Sequence, residues 1–283
     1  MAVMTGGEAE PRLLEFDSVS LAFRGVNALS EVSFHVDDGE LFAIIGPNGA
    51  GKTSIFNCIN QVYEPQSGDI RWKGRSIRGM RPDRVAGLGI ARTFQNIELF
   101  PHMTVLDNLL LGRHIRMRRS WLAGMVWFGP AKHEEMANRE RIEDLIDFLE
   151  IERWRKAPVI SLPYGIQKRV ELGRALAMEP ELLLLDEPVA GMNLEETEDM
   201  ARFVLDVREE LGVAVILVEH DMGLVMDIAD RVMVLDFGQV IAEGSPTKVQ
   251  GDEKVIAAYL GNADVIAPSE EDVELAEAVA GDS

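Results

Sequence analysis

A run of small residues followed by a lysine and a hydroxyl residue has the composition of a phosphate-binding loop. It matches the pattern G-x-x-x-x-G-K-[ST] and reads Gly46, Pro47, Asn48, Gly49, Ala50, Gly51, Lys52 and Thr53. Glycine tolerates the backbone angles that turn successive N–H groups toward an anion, and a helix that begins there adds its positive end. The Lys52 ammonium can reach the β- and γ-phosphates of a nucleotide, and the Thr53 hydroxyl can bind Mg²⁺. The alternative is an ordinary glycine-rich turn between a strand and a helix.

Two adjacent carboxylates follow an apolar run in the second half of the chain. Residues 182–185 are all leucine and predict a buried strand, which Asp186 and Glu187 follow directly. In an open parallel sheet, ligands bind at the carboxyl ends of the strands. We therefore expect Asp186 to hold Mg²⁺ through its water shell and Glu187 to polarise a water that attacks the γ-phosphate. The alternative is that both acids only cap the next segment, which begins with Pro188.

A histidine follows another apolar run at the same predicted edge of the sheet. Residues 213–218 predict a buried strand, and His220 lies two residues after it. A lone histidine after a strand is more often structural than catalytic, but its place beside Asp186 favours a role in the site. His220 could then donate a hydrogen bond to the γ-phosphate or hold the attacking water.

Strand and helix patterns alternate around these motifs. The predicted strands cover 41–45, 69–72, 90–94, 182–185, 213–218 and 232–235, with shorter strands between 13 and 45. The predicted helices include one from about Gly51 and others over 195–211 and 221–229. Residues 41–45 are apolar throughout, which is typical of a strand buried on both faces. The alternation predicts an α/β fold with a mainly parallel sheet.

Residues 104–178 interrupt this alternation with mostly helical patterns, which predicts an inserted helical subdomain. Thr104 is a plausible helix cap, with Asp107 as its acidic partner three residues later. Within 140–149 the apolar residues share one helix face, namely Ile142, Leu145, Ile146 and Leu149.

The composition excludes several classes of protein. The 283 residues are 47% hydrophobic and 27% charged, and the net charge is −20. A protein that binds duplex nucleic acid through its phosphates needs a basic face, so we expect no nucleic-acid partner. The single cysteine, Cys58, excludes a disulfide framework and is expected to be a small packed residue. No segment has the ~18 consecutive apolar residues of a membrane helix, and no signal peptide is recognisable, so a cytoplasmic location is expected.

The two ends of the chain and one internal stretch have unusual compositions. Residues 1–11 and 262–283 are predicted to be disordered, and the C-terminal segment is an acidic tail without lysine or arginine. The alternative for this tail is a regulatory or partner-binding segment. The internal stretch contains Arg113, Arg116, Arg118, Arg119, Trp121, Trp127 and Phe128. We favour a solvated loop with buried aromatic residues, and the alternative is contact with membrane subunits or lipid head groups.

Together these motifs resemble those of the ATP-binding cassette (ABC) ATPases, over about residues 13–261. The run 46–53 resembles Walker A, with Ser54 directly after it, and 186–187 resembles Walker B. Gln95 resembles the Q-loop glutamine, His220 the switch histidine, and Phe23 the A-loop aromatic that stacks on adenine. The signature position holds Leu162, Pro163, Tyr164, Gly165 and Ile166, and the D-loop position holds residues 190–193.

The resemblance implies a fold and a mechanism. The implied fold of residues 12–261 is a P-loop NTPase core with an antiparallel β subdomain and a helical subdomain at about 96–178. Two cassettes would dimerise head to tail around two ATP molecules, each held between Walker A of one subunit and the signature of the other. Glu187, His220 and Gln95 would be catalytic, and Thr53, Gln95 and Asp186 would bind Mg²⁺. Gln95 would also connect this site to the groove where membrane subunits dock.

The signature and the D-loop depart from the family consensus. Pro163 replaces a serine, Tyr164 a glycine and Ile166 a glutamine, and proline has no N–H to donate. Asn193 stands at the end of the D-loop in place of the usual aspartate. The contribution of this signature to the partner's ATP site is therefore expected to be weaker.

Within the family, the chain resembles most the larger ATPase subunit of bacterial branched-chain amino-acid importers. The carrying features are the Tyr-Gly signature, residues 186–193, residues 218–222 and the ending 258–261. This implies a second cassette in a homo- or heterodimer, two membrane permeases, an external solute-binding protein and a place on the inner face of the cell membrane. Urea or short-amide importers use similar cassettes and stay open as alternatives, as does a soluble ABC ATPase without transport.

Overall fold

The computed structural model describes residues 12–113 and 130–260, which form two β-sheets and a set of helices. The strands are β1 (Arg12–Phe23), β2 (Val26–Asp37), β3 (Leu41–Ile45), β4 (Ser67–Trp72), β5 (Arg75–Ser76), β6 (Ile90–Arg92), β7 (Leu182–Asp186), β8 (Ala214–Val218), β9 (Arg231–Asp236) and β10 (Gln239–Gly244). The helices are α1 (Lys52–Ile59), α2 (Pro82–Gly87), α3 (Val105–Arg113), α4 (Pro130–Phe148), α5 (Tyr164–Leu176), α6 (Leu194–Glu209), α7 (Met222–Ile228), α8 (Pro246–Gln250) and α9 (Glu253–Leu260).

The larger sheet is mainly parallel, as predicted. Its strand order is β10-β9-β3-β8-β7-β6, and only β10 runs antiparallel to its neighbour. Every residue of β3, β7 and β8 is buried, because apolar side chains cover both faces of the sheet. This explains why these strands have continuous apolar sequences without alternation.

The smaller sheet is antiparallel, with the order β2-β1-β4-β5. Phe16 pairs with Phe34 across β1 and β2, and their rings stack with centroids 4.9 Å apart. Phe34 stacks in turn on Phe42 of β3 at 5.3 Å. This row of rings joins the antiparallel sheet to the parallel one in a shared core.

Helices α3, α4 and α5 pack together beside the parallel sheet. The predicted apolar face of α4 is confirmed, since Ile142, Ile146 and the following Leu149 are buried. A Cβ at Gly173 of α5 would lie 2.6 Å from Leu149 Cδ1 and 2.9 Å from Leu109 Cδ2. Glycine at this position therefore lets the three helices approach closely.

The element boundaries differ from the sequence predictions in a few places. Strand β6 ends at Arg92, two residues early, because the Phe94 N–H donates to the Glu171 carboxylate of α5 at 3.4 Å. The sequence patterns did not predict β5, β10, α2, α8 or α9. The solvated-loop prediction is wrong for Arg113, which ends α3 and is buried because its guanidinium donates to the Asn138 amide oxygen at 2.9 and 3.1 Å. The predictions for 1–11, 262–283 and the Arg/Trp stretch beyond Arg113 lie outside the described residues. None of the helices in the described ranges is long and apolar enough to cross a bilayer.

The predicted cap of α3 is confirmed and gives a stability test. The Thr104 hydroxyl accepts a hydrogen bond from the Asp107 N–H at 3.1 Å and donates one to the Asp107 carboxylate at 2.6 Å. We expect Thr104→Ala to lower the free energy of unfolding by about 1 kcal/mol, because an N–H of the first turn loses its partner. Urea denaturation measures this change. Thr104→Ser keeps the hydroxyl and serves as the control, and equal losses in both variants would contradict the capping role.

Candidate functional site

The loop 46–51 turns tightly between the end of β3 and the start of α1. Gly46 has a φ of 149°, and a Cβ there would lie 2.0 Å from the carbonyl oxygen of Leu235. Gly51 has a φ of 108°, and a Cβ there would lie 2.5 Å from the carbonyl oxygen of Ala28. Gly51 precedes α1 without a side-chain cap. The N–H groups of the first turn of α1 thus point out of the helix, as an anion site requires.

Lys52 is buried inside this loop. Its side-chain amine donates to the carbonyl oxygens of Gly46 at 2.6 Å and Pro47 at 3.1 Å, and only 6% of the residue is exposed. Burial lowers the pKa of Lys52, and the carboxylates of Glu187 and Asp186 partly offset this shift. The lysine and the two acids that the sequence singled out therefore lie close enough to act on one another.

Glu187 is the centre of a three-residue contact. Gln95 Nε2 donates to Glu187 Oε2 at 2.8 Å, and His220 Nε2 lies 2.5 Å from Glu187 Oε1. Glu187 itself has a φ of 50°, an uncommon left-handed conformation, and its N–H donates to Val218 of β8 at 2.9 Å. Such strain often marks a functional position. The structure thus brings together Gln95, Glu187 and His220, which lie far apart in the sequence.

Asp186 faces a different partner, which the sequence analysis missed. Arg92 Nη2 donates to Asp186 Oδ2 at 2.7 Å, and Arg92 Nη1 donates to Asn57 Oδ1 at 2.7 Å. The guanidinium lies between the rings of Phe56 and Phe94, at 5.3 and 5.1 Å from their centroids. A charged residue at the end of the otherwise apolar strand β6 was the available signal.

Glu219 is a second residue that the sequence analysis missed. It is only 3% exposed, and its carboxylate accepts hydrogen bonds from the backbone N–H groups of Val189 and His220, both at 3.0 Å. Burial raises the pKa of this carboxyl. Glu219 therefore joins the segment after Glu187 to the segment that carries His220.

The signature and D-loop positions touch each other within the chain. Helix α5 begins at Tyr164, and the Tyr164 hydroxyl donates to the Ala190 carbonyl at 3.0 Å. Asn193 caps α6 through a reciprocal pair of hydrogen bonds with Glu196, at 3.0 and 3.1 Å. Of the remaining signature residues, Leu162 and Gly165 are buried, Ile166 is half-buried and Pro163 is exposed.

Two further contacts lie around the loop. Phe23 is 42% exposed and meets the ring of Tyr63 edge-on, with centroids 4.9 Å apart. Tyr259 of α9 lies near the backbone of Gly46, and burial raises the pKa of its hydroxyl to about 12. Tyr259 lies in the segment 258–261, which resembles the branched-chain importer subunits, but no role was predicted for it.

Cys58 of α1 is fully buried, as predicted for a small packed residue, and burial raises the pKa of its thiol to about 12.

The oxygen donors near the loop fit a magnesium ion that travels with a nucleotide. Thr53, Asp186 and Gln95 offer a hydroxyl, a carboxylate and an amide oxygen, which are the hard ligands that Mg²⁺ takes. Among the described residues no group of three or more His, Cys, Asp or Glu side chains could hold a metal. The donor set therefore suits an ion bound largely by phosphate and water.

Comparison with known proteins shows which family has this arrangement of strands and this glycine-rich loop. A family model described as "ABC transporter" matches residues 29–190, which is more than half of the chain. The chain belongs to the ABC transporter family. A second model, "Branched-chain amino acid ATP-binding cassette transporter", matches residues 239–265 of this ABC protein.

Named relatives and solved structures agree with this assignment. The chain is 37% identical over 251 residues to the "High-affinity branched-chain amino acid transport ATP-binding protein BraF" of Pseudomonas aeruginosa, covering 89% of this chain and 98% of that protein. It is 34% identical to the LivG protein of Escherichia coli, with the same coverage. The structure of the ADP conformation of MJ1267, an ATP-binding cassette of an ABC transporter, superposes with a TM-score of 0.77 at 31% identity, covering 88% of this chain and 99% of that one.

The raised pKa of Glu219 gives a pH test of the site. Between the ordinary value of 4.5 and its raised value in the folded state, folding takes up a proton, so the free energy of unfolding falls as the pH rises. Glu219→Gln removes this titration and costs stability at every pH, since the Val189 and His220 N–H groups bind different carboxylate oxygens and the glutamine NH2 group would face one of them. We therefore expect the difference in free energy of unfolding between wild type and Glu219→Gln to become smaller as the pH rises.

Urea denaturation from about pH 4.5 to about pH 8 measures this gap. Glu198→Gln, at an exposed position of α6, is the control and is expected to show a gap that hardly changes with pH. If the difference in free energy of unfolding between wild type and Glu219→Gln grew as the pH rose, the raised pKa of Glu219 would be contradicted.

Proposed function

We propose that this chain binds ATP with Mg²⁺ at the loop 46–53 and hydrolyses it as the ATPase subunit of a branched-chain amino-acid importer. The observation that carries the proposal is the position of Glu187. Its carboxylate is held between Gln95 and His220, at the sheet edge where Lys52 lies inside the phosphate loop. A water held by this carboxylate would attack a γ-phosphate bound by that loop.

The phosphate loop supplies binding and charge neutralisation. The N–H groups of loop 46–51 and of the first turn, including Thr53 and Ser54, would surround the phosphates, and the ammonium of Lys52 would turn from the loop carbonyls toward them. Phe23, exposed beside Tyr63, would stack on the adenine. Thr53, Gln95 and Asp186 would hold Mg²⁺, which supplies Lewis-acid neutralisation of the phosphate oxygens when bound.

Glu187 would act as the general base, with two neighbours that orient it. Gln95 contacts one carboxylate oxygen and His220 the other, so both oxygens already have a partner before a nucleotide arrives. As the water oxygen bonds to the γ-phosphorus, the bond from that phosphorus to the bridging oxygen breaks and ADP leaves with this oxygen. The water proton would pass to Glu187, and His220 would donate a hydrogen bond to the γ-phosphate that is released. Arg92 would keep Asp186 in place, because their ion pair is almost fully buried.

The partners follow from the same family membership. The signature residues 162–166 would face the nucleotide of a second cassette, and membrane permeases would dock on the cytoplasmic side of the membrane. Relatives that are 34–37% identical over nearly their full length carry names in branched-chain amino-acid transport. The match over residues 239–265 supports the same class of solute.

Removal of the general base tests the hydrolytic mechanism. We expect Glu187→Gln to reduce steady-state ATP hydrolysis by at least about a hundredfold, because the amide cannot take the proton of water. ATP binding is expected to persist, so that an ATP-bound dimer accumulates and is seen by size-exclusion chromatography. Glu181→Gln, at a half-exposed position before β7, is the matched control with unchanged hydrolysis. Unchanged hydrolysis in Glu187→Gln would show that the base is assigned wrongly.

Transport in cells tests the solute. A strain that lacks this chain is expected to lose high-affinity uptake of leucine, isoleucine and valine and to regain it from a plasmid with the wild-type gene. A plasmid that carries Glu187→Gln is expected not to restore uptake. Uptake of urea and acetamide measured in the same strains distinguishes the alternative solutes. Loss of urea uptake with normal leucine uptake would overturn the branched-chain assignment.

A further inference from the structure

The first turn of α5 is attached to the segment that follows Glu187 in the same chain. The Tyr164 hydroxyl donates to the Ala190 carbonyl at 3.0 Å. The tyrosine ring also lies against Gly191, where a Cβ would come within 3.6 Å of Tyr164 Cε1. Gly191 has a φ of 79°, so this segment turns sharply beneath the ring.

A second contact joins the same two regions. A Cβ at Gly165 would lie 2.6 Å from Glu196 Oε1, so the start of α5 packs directly on the Glu196 carboxylate. The other oxygen of Glu196 accepts a hydrogen bond from the Asn193 N–H at 3.1 Å. Two neighbouring residues of α5 therefore contact both ends of the segment 190–196.

The chain from Ala190 to Glu187 is short and internally bonded. The Ala190 N–H donates to the Glu187 carbonyl at 3.2 Å, and the Val189 N–H between them is held by Glu219. The backbone of Glu187 is thus linked over three residues to the Ala190 carbonyl that Tyr164 binds. The Tyr164 hydroxyl keeps its proton as a donor at neutral pH, since burial and the nearby Glu171 and Glu196 raise its pKa.

A neighbouring bond joins α5 to a different segment, since the Lys168 amine donates to the Gln95 carbonyl at 2.9 Å. The Tyr164 hydroxyl reaches the segment after Glu187 instead. Pro163 precedes the helix without a capping hydrogen bond, and it brings neither a hydroxyl nor an N–H. A glycine in place of Tyr164 would have no hydroxyl for Ala190. Tyr164 therefore has two expected effects. It replaces a glycine of the signature, which weakens phosphate binding, and its hydroxyl attaches the start of α5 to the segment after Glu187.

We propose that Tyr164 is a positioning residue that couples the nucleotide site of this chain to its own signature helix. The inference rests on the proposed function in one respect, namely that a nucleotide in loop 46–53 acts on Glu187. Binding there would shift Glu187 and Ala190, and the hydroxyl of Tyr164 would carry that shift to α5. Nucleotide bound in one cassette would then change the position of that cassette's own signature, which faces the nucleotide of the partner.

Hydrogen exchange detected by mass spectrometry tests this coupling on the full chain. The variants are Tyr164→Phe, which keeps the ring and removes only the hydroxyl, and Ser161→Ala as the matched control. Ser161 also donates a hydroxyl hydrogen bond to a carbonyl, that of Pro158 at 2.8 Å, but this bond stays within its own turn. Exchange is followed at loop 46–54, at Gln167 of α5 and at Ala190, with and without a non-hydrolysable ATP analogue and Mg²⁺. Light scattering sets a concentration at which the chain is monomeric.

Without nucleotide, we expect exchange at Gln167 and Ala190 to be about three- to tenfold faster in Tyr164→Phe than in wild type, the size expected for one neutral hydrogen bond. With the analogue, loop 46–54 becomes protected in all three proteins. Gln167 becomes protected in wild type and in Ser161→Ala but not in Tyr164→Phe. Tyr164→Ala removes the ring as well. Its exchange at Gln167 and Ala190 is expected to be at least as fast as in Tyr164→Phe, and the analogue is expected not to protect Gln167.

Two different results would overturn two different claims. If the analogue fails to protect loop 46–54 in wild type, the proposed nucleotide site is wrong, while the nucleotide-free comparison still reports on the hydrogen bond of Tyr164. If loop 46–54 is protected but Gln167 responds equally in wild type and Tyr164→Phe, or in neither, the coupling role of Tyr164 is wrong.

Discussion

The register of the parallel strands is the constraint on which the site depends. Arg92 of β6 pairs with Leu184 of β7, Asp186 pairs with Val218 of β8, and Val218 pairs with Ile44 of β3. All four strands therefore end at one edge within a few residues of each other. Gln95, the pair 186–187, His220 and the start of the loop 46–51 each lie at the end of their strand or within three residues of it. A slip of one strand by a single residue would turn its side chains to the other face and separate these groups.

The parts of the fold that were predictable from the sequence are those set by side-chain type alone. Strands buried on both faces need apolar residues throughout, so β3, β7 and β8 were visible as continuous runs. The glycine-rich loop 46–51 was predictable because its backbone conformation allows only glycine at positions such as Gly46 and Gly51. Contacts made by a common residue with a distant partner were not predictable, since nothing in the sequence around Arg92 or Glu219 identifies Asp186 or Val189 as the partner. The bond from Tyr164 ends on a backbone carbonyl, which every residue has.

The charges of the site are balanced locally in a chain that is strongly acidic overall. Two cations, Lys52 and Arg92, lie almost fully buried beside the carboxylates of Asp186 and Glu187. With a net charge of −20, the molecule as a whole repels an anionic nucleotide. Under the proposed function, affinity must therefore come from groups within a few ångströms of the phosphates, such as the N–H groups of loop 46–51. This division explains why a protein of such acidity can use a polyanion as its substrate.

The single cysteine has a practical consequence. Cys58 of α1 belongs to the core that the two sheets share and has no exposed surface, and burial raises the pKa of its thiol to about 12. The thiolate is the form that reacts with maleimides and spin-label reagents, so this sulfur is doubly protected from them. The native chain can therefore serve directly as a background for labelling. A cysteine introduced at an exposed position such as Leu194 would be the one thiol that takes a fluorophore, and distance measurements between cassettes would need no prior removal of the native residue.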